Sequence, residues 1–258
     1  MTAPDLTDDA FLGGALSILQ PALGYRAGLD AVLLAAAAPV VPLPGACVLD
    51  AGAGVGVVGL AIAARVADAR LTLVEIDPRI ADLARRNAER NGLAGRVQVV
   101  VADIGAGGAL LHGAGRPAGL APASFDHIVT NPPYYASGSG TPSALPSKAT
   151  AHQMASGGLD QWLAFLATAA KADATLTVIH RADALAQVLA AIGSRFGRLR
   201  VLPIHPRAGV SASRIIVAGV KGSRAPLELK PGLILQEADG RYRPEVEAIL
   251  RHGAPLAV

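Results

Sequence analysis

Three alternate glycines directly after a short apolar run constrain the fold of this 258-residue chain more than any other feature. The string reads Val48-Leu49-Asp50-Ala51-Gly52-Ala53-Gly54-Val55-Gly56, and an apolar helical run follows over 57–66. Glycine at such positions lets the backbone turn sharply and approach a ligand without a Cβ in the way. The turn leads into a helix N-terminus, whose free N–H groups favour a carboxylate or phosphate. We therefore expect a buried strand, a ligand-binding turn and a helix.

Short β-branched runs alternate with longer helical runs from Ala46 onward, which is typical of βαβ units and a parallel sheet. The predicted strands are 46–51, 70–76, 97–101, 125–130, 175–180 and an antiparallel closing pair, 199–204 and 214–220. The predicted helices are 31–38, 57–66, 78–91, 159–171 and 183–192, and the predicted loops are 105–123, with one short helix, and 134–158. Over 227–235 we expect a hairpin-like strand region, followed by a polar tail. The predicted fold class is α/β, with a mostly parallel seven-stranded sheet flanked by helices.

Cysteine content and the apolar segments narrow the class of protein. Cys47 is the single cysteine, which excludes a disulfide framework and a cysteine-based zinc site, and we expect no metal. The N-terminus lacks the basic and apolar regions of a signal peptide. The longest uncharged apolar stretch, 51–64, is too short and too glycine-rich to span a bilayer. We therefore expect a cytoplasmic protein without a membrane partner.

The distribution of charge favours an anionic partner. The net charge is +3, and no carboxylate lies between Asp183 and Glu228. The basic residues of that tract are Arg195, Arg198, Arg200, Arg207, Arg214, Lys221 and Arg224. An acid-free basic tract suits a phosphate-binding surface, although solvated strand ends would explain each arginine taken singly.

Two cofactors fit the glycine string. Residues 54–59 satisfy the G-x-G-x-x-G dinucleotide pattern, with Glu75 about 20 residues further on. Asp50 argues against a dinucleotide, because a dinucleotide-binding fold has no use for an anion close to the pyrophosphate. The cationic methionine moiety of S-adenosylmethionine (SAM), in contrast, would favour a carboxylate at this position. The string resembles the first motif of SAM-dependent methyltransferases, Asp-x-Gly-x-Gly-x-Gly. We expect Glu75 to accept both ribose hydroxyls and Asp103 to accept the adenine amino group, with a simple helix cap as the alternative for Asp103.

Asn131-Pro132-Pro133-Tyr134 follows the predicted strand 125–130 and gives the strongest functional signal. An sp² exocyclic amine is a poor nucleophile because its lone pair is delocalised. The Asn131 side-chain oxygen and the Pro132 carbonyl can hold its two N–H groups and so orient the lone pair toward a methyl donor. Tyr134 offers a face on which a base can stack. The motif predicts methylation of a planar nitrogen, but similar enzymes use it on adenine, cytosine, guanine or glutamine.

Nearly the whole chain resembles the bacterial tRNA (adenine-N6)-methyltransferases that act on adenosine 37 of valine tRNA. The likeness begins at Phe11-Leu12-Gly13-Gly14, continues through Gly24-Tyr25-Arg26-Ala27-Gly28-Leu29-Asp30 and includes the motifs above. The resemblance implies that Gln20, Tyr25, Arg26 and Asp30 help to close the cofactor pocket. It implies SAM as cofactor and a tRNA anticodon loop as partner. We expect Lys148 to contact RNA together with the basic tract, and we expect a monomer or weak dimer.

The predicted organisation is an N-terminal extension, 1–45, packed on the cofactor site, a methyltransferase domain, 46–222, and a C-terminal strand and tail, 223–258, of the same domain. Three alternatives stay open at this point. A glutamine-N5 methyltransferase of release factors normally carries a larger helical domain before the first strand. A guanine-N2 RNA methyltransferase usually has Phe or Leu where Tyr134 stands. A non-catalytic SAM- or RNA-binding protein would have kept the fold without turnover.

Overall fold

The computed structural model describes residues 5–24, 26–39, 45–112, 115–133 and 158–258. Its strands are β1 (Leu6–Phe11), β2 (Leu16–Pro21), β3 (Cys47–Ala51), β4 (Arg70–Glu75), β5 (Val97–Val101), β6 (Phe125–Thr130), β7 (Ala170–Arg181), β8 (Phe196–Arg207), β9 (Arg214–Lys221), β10 (Glu228–Leu229) and β11 (Leu233–Gln236). Its helices are α1 (Leu29–Ala37), α2 (Val57–Arg65), α3 (Pro78–Arg90), α4 (Gly158–Ala169), α5 (Leu185–Ile192) and α6 (Pro244–His252). A 3-10 segment, Ile104–Leu111, lies in the predicted loop 105–123.

One sheet organises the described residues, with the strand order β10-β8-β9-β7-β6-β3-β4-β5 and with β11 also paired to β8. Strands β3 to β7 are mutually parallel, and β9 runs antiparallel to β7 and β8. The seven-stranded core and its antiparallel closing pair are as predicted, so the predicted α/β fold class is confirmed. Two short strands extend the sheet beyond the seven.

The C-terminal segment differs from its prediction in two respects. Strands β10 and β11 do not pair with each other as a hairpin would, because each pairs in parallel with β8. The expected polar tail is wrong, because the chain forms α6 instead. Pro244 occupies the first turn, Val246 and Ile249 are buried, and Gly253 ends the helix in the left-handed conformation. Helix α6 packs near α1, and burial of its apolar side favours a helix over an extended tail.

The N-terminal extension contains a hairpin that the sequence analysis missed. Strands β1 and β2 form their own antiparallel sheet, and alternate β2 residues, including Leu16 and Ile18, are buried. The free edge of β2 lies against α3, where Asn87 and Asn91 bind the backbone N–H and C=O groups of Leu19 and Ser17 at 2.8–3.0 Å. Two side-chain amides thus take the place of a third strand.

The core has two parts, one on each face of the sheet. One face packs against α1, α2, α3 and α6, and the other packs against α4, α5 and the 3-10 segment. Successive β3 residues show the division, because Val48 faces the first cluster and Leu49 the second. The sheet is therefore covered on both sides, and its strand ends are left as the place for a ligand.

Within the described residues, no helix is long and apolar enough to cross a membrane. The same residues hold no group of three or more His, Cys, Asp or Glu side chains that could bind a metal ion.

Candidate active site

The strand order brings the predicted site residues to one edge of the sheet. Strand β3 pairs with β4 on one side and β6 on the other, with Ala51 opposite both Val74 and Thr130. The chain passes outward from β3 to β4 and β5 and then returns to β6, so the direction of winding reverses between β3 and β6. Ligands of open α/β sheets bind at such a point, beyond the carboxyl ends of the strands.

The glycine turn after β3 has the backbone conformation that its sequence predicts. Gly52, Gly54 and Gly56 all have positive φ, at 74°, 57° and 92°. A Cβ on Gly52 would lie 2.9 Å from two ring carbons of Trp162, and one on Gly56 would lie 2.9 Å from Leu73. A Cβ on Gly54 would meet no described atom within 4 Å. The turn is therefore packed at its two ends and open in its middle.

Asp50 supports the turn from beneath. Its side chain is 1% exposed, and one carboxylate oxygen accepts a hydrogen bond from the Gly59 backbone N–H at 2.9 Å. Burial raises the pKa of Asp50 to about 7, the Gly59 hydrogen bond opposes the rise, and the nearby charge of Glu75 adds to it. In the structure Asp50 joins the end of β3 to the first turn of α2, so it shapes the turn, and direct contact with a cofactor stays a prediction.

Glu75 lies at the end of β4, beside the turn. One carboxylate oxygen accepts from the Gly54 N–H at 3.0 Å and the other from the Asp77 N–H at 2.9 Å. Each oxygen keeps a second lone pair, so the carboxylate can still accept from a diol. Ile76, which follows it, is 42% exposed and offers an apolar surface that the sequence analysis did not single out. In the sequence, the signal that could have identified Ile76 is an isoleucine directly after the glutamate that ends a strand.

Asp103 lies just beyond β5 and is exposed. Its carboxylate accepts from the Gly105 N–H at 2.8 Å and caps the 3-10 segment, which is the alternative that the sequence left open. The cap uses one oxygen, Oδ1. An adenine contact through the other oxygen stays a prediction.

Asn131 and Pro132 directly follow β6 and so lie one strand away from the glycine turn. Asn131 is partly exposed, although its side-chain oxygen is shielded from solvent, and Pro132 is buried. Three residues that the sequence analysis named, Tyr25, Tyr134 and Lys148, lie outside the described residues, as does most of the loop after Pro133.

The N-terminal candidates are bound to protein partners. The Arg26 guanidinium donates to Asp9 at 2.6 Å, Thr7 at 2.7 Å and the Pro21 carbonyl at 3.0 Å. Gln20 bonds to Asp9 and to the backbone of Ala27. The structure thus gives both side chains a role in joining the hairpin to the segment before α1, and closure of a cofactor pocket by them stays a prediction.

Asp30 and Arg214, predicted for the cofactor and RNA sites respectively, form an ion pair at 2.8 Å. Arg214 begins β9 and pairs in register with Arg181 at the end of β7, so it lies at the same edge as Asn131. The two predicted sites therefore meet at this ion pair.

The basic tract does not form one surface, which corrects the expectation drawn from its linear sequence. Strand β8 runs the full height of the sheet, and Arg198 and Arg207 are nine residues apart, roughly 30 Å in an extended strand. Arg207 and Arg214 lie at the Asn131 edge, while Arg195, Arg198 and Arg224 lie at the opposite edge and Arg200 between them. Carboxylates from elsewhere enter the tract, since Asp160 binds Arg195 at 2.8 Å and Glu228 lies 4.0 Å from Arg200.

Two groups at this site escaped the sequence analysis. The Trp162 indole N–H donates to the Thr130 hydroxyl at 3.0 Å, and this hydroxyl donates to the Ala51 carbonyl at 2.8 Å. The Asn87 amide, besides binding β2, donates to the Val55 carbonyl of the glycine turn at 3.0 Å. A threonine at the end of a buried strand and the only tryptophan of the chain were the available signals.

Comparison with known proteins relates this chain to methyltransferases. The sequence matches the methyltransferase small domain family over residues 31–159, half of the chain. A tRNA1(Val) (adenine(37)-N6)-methyltransferase of Porphyromonas gingivalis is 28% identical over 246 residues, covering 92% of this chain and 91% of that protein. A release factor glutamine methyltransferase of Chlorobaculum tepidum is 34% identical over 87 residues, covering 34% of this chain and 27% of that protein. The crystal structure of a predicted O-methyltransferase from Agrobacterium tumefaciens matches with a TM-score of 0.72 at 31% identity, covering 89% of this chain and 99% of that one.

The sheet, its glycine turn and these likenesses define a methyltransferase of the Rossmann-like class I fold, and that family and fold imply SAM as the cofactor. Within this class, the chain belongs to the methyltransferase small domain family. The resemblance to tRNA adenine-N6 methyltransferases that the sequence indicated is confirmed.

Proposed function

We propose that this enzyme transfers a methyl group from SAM to the exocyclic N6 amine of an adenine in tRNA, at position 37 of valine tRNA. The observation that carries the proposal is the place of Asn131-Pro132. The pair follows β6, one strand from the glycine turn, so amide and carbonyl acceptors stand beside the cofactor turn. Strand neighbours are about 4.8 Å apart, which suits direct transfer between two adjacent sites.

The described residues fit SAM. The open face at Gly54 leaves room for a ligand against the backbone, and the Glu75 carboxylate beside it retains lone pairs for ribose hydroxyls. When bound, SAM would supply an electrophilic methyl group on a cationic sulfur. Glu75 would hold the ribose, and the buried carboxylate of Asp50 would keep the turn in place beneath the methionine moiety.

The chain's own contribution to the reaction is positioning. The Asn131 oxygen and the Pro132 carbonyl would accept the two N–H groups of the amine and turn its lone pair toward the donor. A proline after Asn131 fixes φ of the backbone that carries the second acceptor. The methylated amine readily loses its extra proton to water, so a strong base is not required of the protein.

The direction from which tRNA would approach the enzyme follows from the division of the basic tract between the two ends of the strands. A tRNA anticodon loop that delivers its base to Asn131 would meet the edge that carries Arg207 and Arg214. The base would leave its stack at a cost of a few kcal/mol. We therefore assign RNA contact first to these two arginines and not to Arg195, Arg198 or Arg224 at the far edge.

The proposal is tested by incubating the enzyme with methyl-labelled SAM and total bacterial RNA, followed by nucleoside mass spectrometry. We expect N6-methyladenosine confined to one tRNA. Asn131→Ala should reduce turnover at least ~100-fold because the amine loses an oriented acceptor, with SAM affinity nearly unchanged. Equal loss of turnover and SAM affinity would overturn the role given to Asn131.

A parallel incubation with a peptide-release factor tests the glutamine alternative. Label in protein, in guanosine or on an oxygen, with RNA adenine untouched, would leave the methyltransferase standing and refute the proposed substrate.

A further inference from the structure

A chain of two buried hydrogen bonds links three elements at the site. Trp162 of α4 donates through Nε1 to the Thr130 hydroxyl at 3.0 Å, and the hydroxyl donates to the Ala51 carbonyl at 2.8 Å. Trp162 is 6% exposed, and Thr130 and Ala51 are fully buried. Thr130 is the last residue of β6 and Ala51 the last of β3. The chain therefore ties the two strands together where their backbone pairing stops.

The same tryptophan touches the glycine turn. Its Cζ2 and Cη2 atoms occupy the space that a Cβ on Gly52 would need, only 2.9 Å from that position. The ring therefore packs directly against the first glycine of the turn. The Trp162 side chain therefore contacts both the glycine turn and β6, the strand that ends before Asn131.

We propose that Trp162 and Thr130 are positioning residues that set the distance between the glycine turn and Asn131. Gly52 and Asn131 are each the first residue beyond a strand, directly after the last pair of the β3–β6 register, Ala51 opposite Thr130. In the proposed function, which this inference presupposes, the turn holds the methyl donor and Asn131 holds the amine. Because methyl transfer is sensitive to displacements near 1 Å, a loose join here would cost rate, by as much as ~100-fold.

A positioning role separates turnover from cofactor binding. Neither side chain supplies a ligand to the open face of the turn at Gly54, so cofactor affinity should depend little on them. Thr130→Val keeps the shape of the side chain but removes the acceptor for Trp162 and the donor to Ala51. We expect kcat to fall roughly 10- to 100-fold, with KM and Kd for SAM within about 3-fold of wild type.

Two substitutions control for structural damage. Thr130→Ser retains the hydroxyl, so kcat of this variant should be close to that of wild type. Thr177→Val makes the same change in β7, where the buried hydroxyl has no hydrogen-bond partner among the described residues, and should leave kcat unchanged. Urea unfolding of all three variants checks that they fold. If Thr130→Val does not fold, Trp162→Phe removes the indole N–H, together with the ring atoms that lie against Gly52, and should lower kcat in the same way.

An acceptor-free measurement distinguishes failure of this inference from failure of the proposed function. SAM is titrated into the protein while the emission of Trp162, the only tryptophan, and the NMR signal of the Asn131 side-chain amide are followed. In wild type and Thr130→Ser both signals should respond to SAM together. In Thr130→Val the tryptophan should still respond and the Asn131 signal should respond much less. Equal responses in Thr130→Val and Thr177→Val, or kcat equal in both, would overturn the inference, whichever substrate takes the methyl group.

Discussion

Each glycine of the turn after β3 is constrained by different surroundings, although all three share a positive φ. Gly52 and Gly56 are closed in by Trp162 and Leu73, so a side chain there would displace the core. Gly54 has the conformational reason but no described neighbour. Gly92 shares both properties, so what distinguishes Gly54 is its place at the strand ends, where its N–H binds the Glu75 carboxylate and the open space leaves room for a ligand.

This reasoning predicts a selective effect of Gly54→Ala. The strain of a left-handed alanine should cost about 1–2 kcal/mol of stability, and the new methyl group should also block SAM. We expect the affinity for SAM, measured by calorimetry, to fall at least ~10-fold, since a methyl group would fill the open face.

Gly92→Ala is the matched control. Gly92 follows α3 with φ of 68° and also has open space at its Cβ, so the strain is comparable. The control should lose similar stability yet bind SAM as wild type does. Similar SAM affinity in the two variants would show that the open face at Gly54 is not the cofactor site.

Helix α3 acts as more than a cover for the sheet. Its Asn87 is completely buried and serves both the β2 backbone and the Val55 carbonyl, so it couples the N-terminal hairpin to the glycine turn. On the same helix Arg90 also reaches the hairpin, through an ion pair with Asp8, but this pair is exposed. One helix therefore offers a buried and an exposed join to the same element.

Asn87→Ala should destabilise the protein by about 2–4 kcal/mol, because it leaves two backbone groups of Leu19 and one of Val55 without this partner. Arg90→Ala removes an exposed ion pair and should cost less than ~1 kcal/mol. Urea unfolding of both variants measures the difference. Limited proteolysis should show the N-terminal hairpin released first in Asn87→Ala, and costs of equal size would refute the coupling given to Asn87.

At the scale of the whole molecule, sheet topology decides which charges act together. Strands β3, β5 and β6 could be predicted to within a residue, because glycines and prolines bound their apolar runs. The positions of Gly52, Asp103 and Asn131 just after those strands could be predicted for the same reason, and their roles stay predictions. The hairpin escaped, because Asp8 and Asp9 interrupt β1 with charge. The join of Trp162 to Thr130 spans 32 residues, and only the packing of α4 on the sheet creates it.

The basic tract shows the same limit from the other side. Its linear grouping suggested one surface, but β8 carries Arg198 and Arg207 to opposite edges. Residues that are close in sequence are far apart in space when they lie near opposite ends of one extended strand.

Arg207→Ala should therefore weaken tRNA binding about 3- to 10-fold and reduce the slope of log affinity against log salt by about one phosphate contact. Arg224→Ala removes the same charge from an exposed position at the far edge and should change neither quantity. Filter binding over a range of salt concentrations compares them. Equal losses would mean that the RNA spans the height of the sheet.

The two asparagines of α3 have a further consequence for how the chain behaves among copies of itself. A two-stranded hairpin ordinarily leaves unpaired N–H and C=O groups along its outer strand, and such an edge recruits strands from other molecules. On β2 the groups of Ser17 and Leu19 are already occupied by amides from a helix, which cannot be extended by another strand. Asn87 and Asn91 thereby protect this edge against intermolecular β-addition, and no further strand of the chain is needed to cover it.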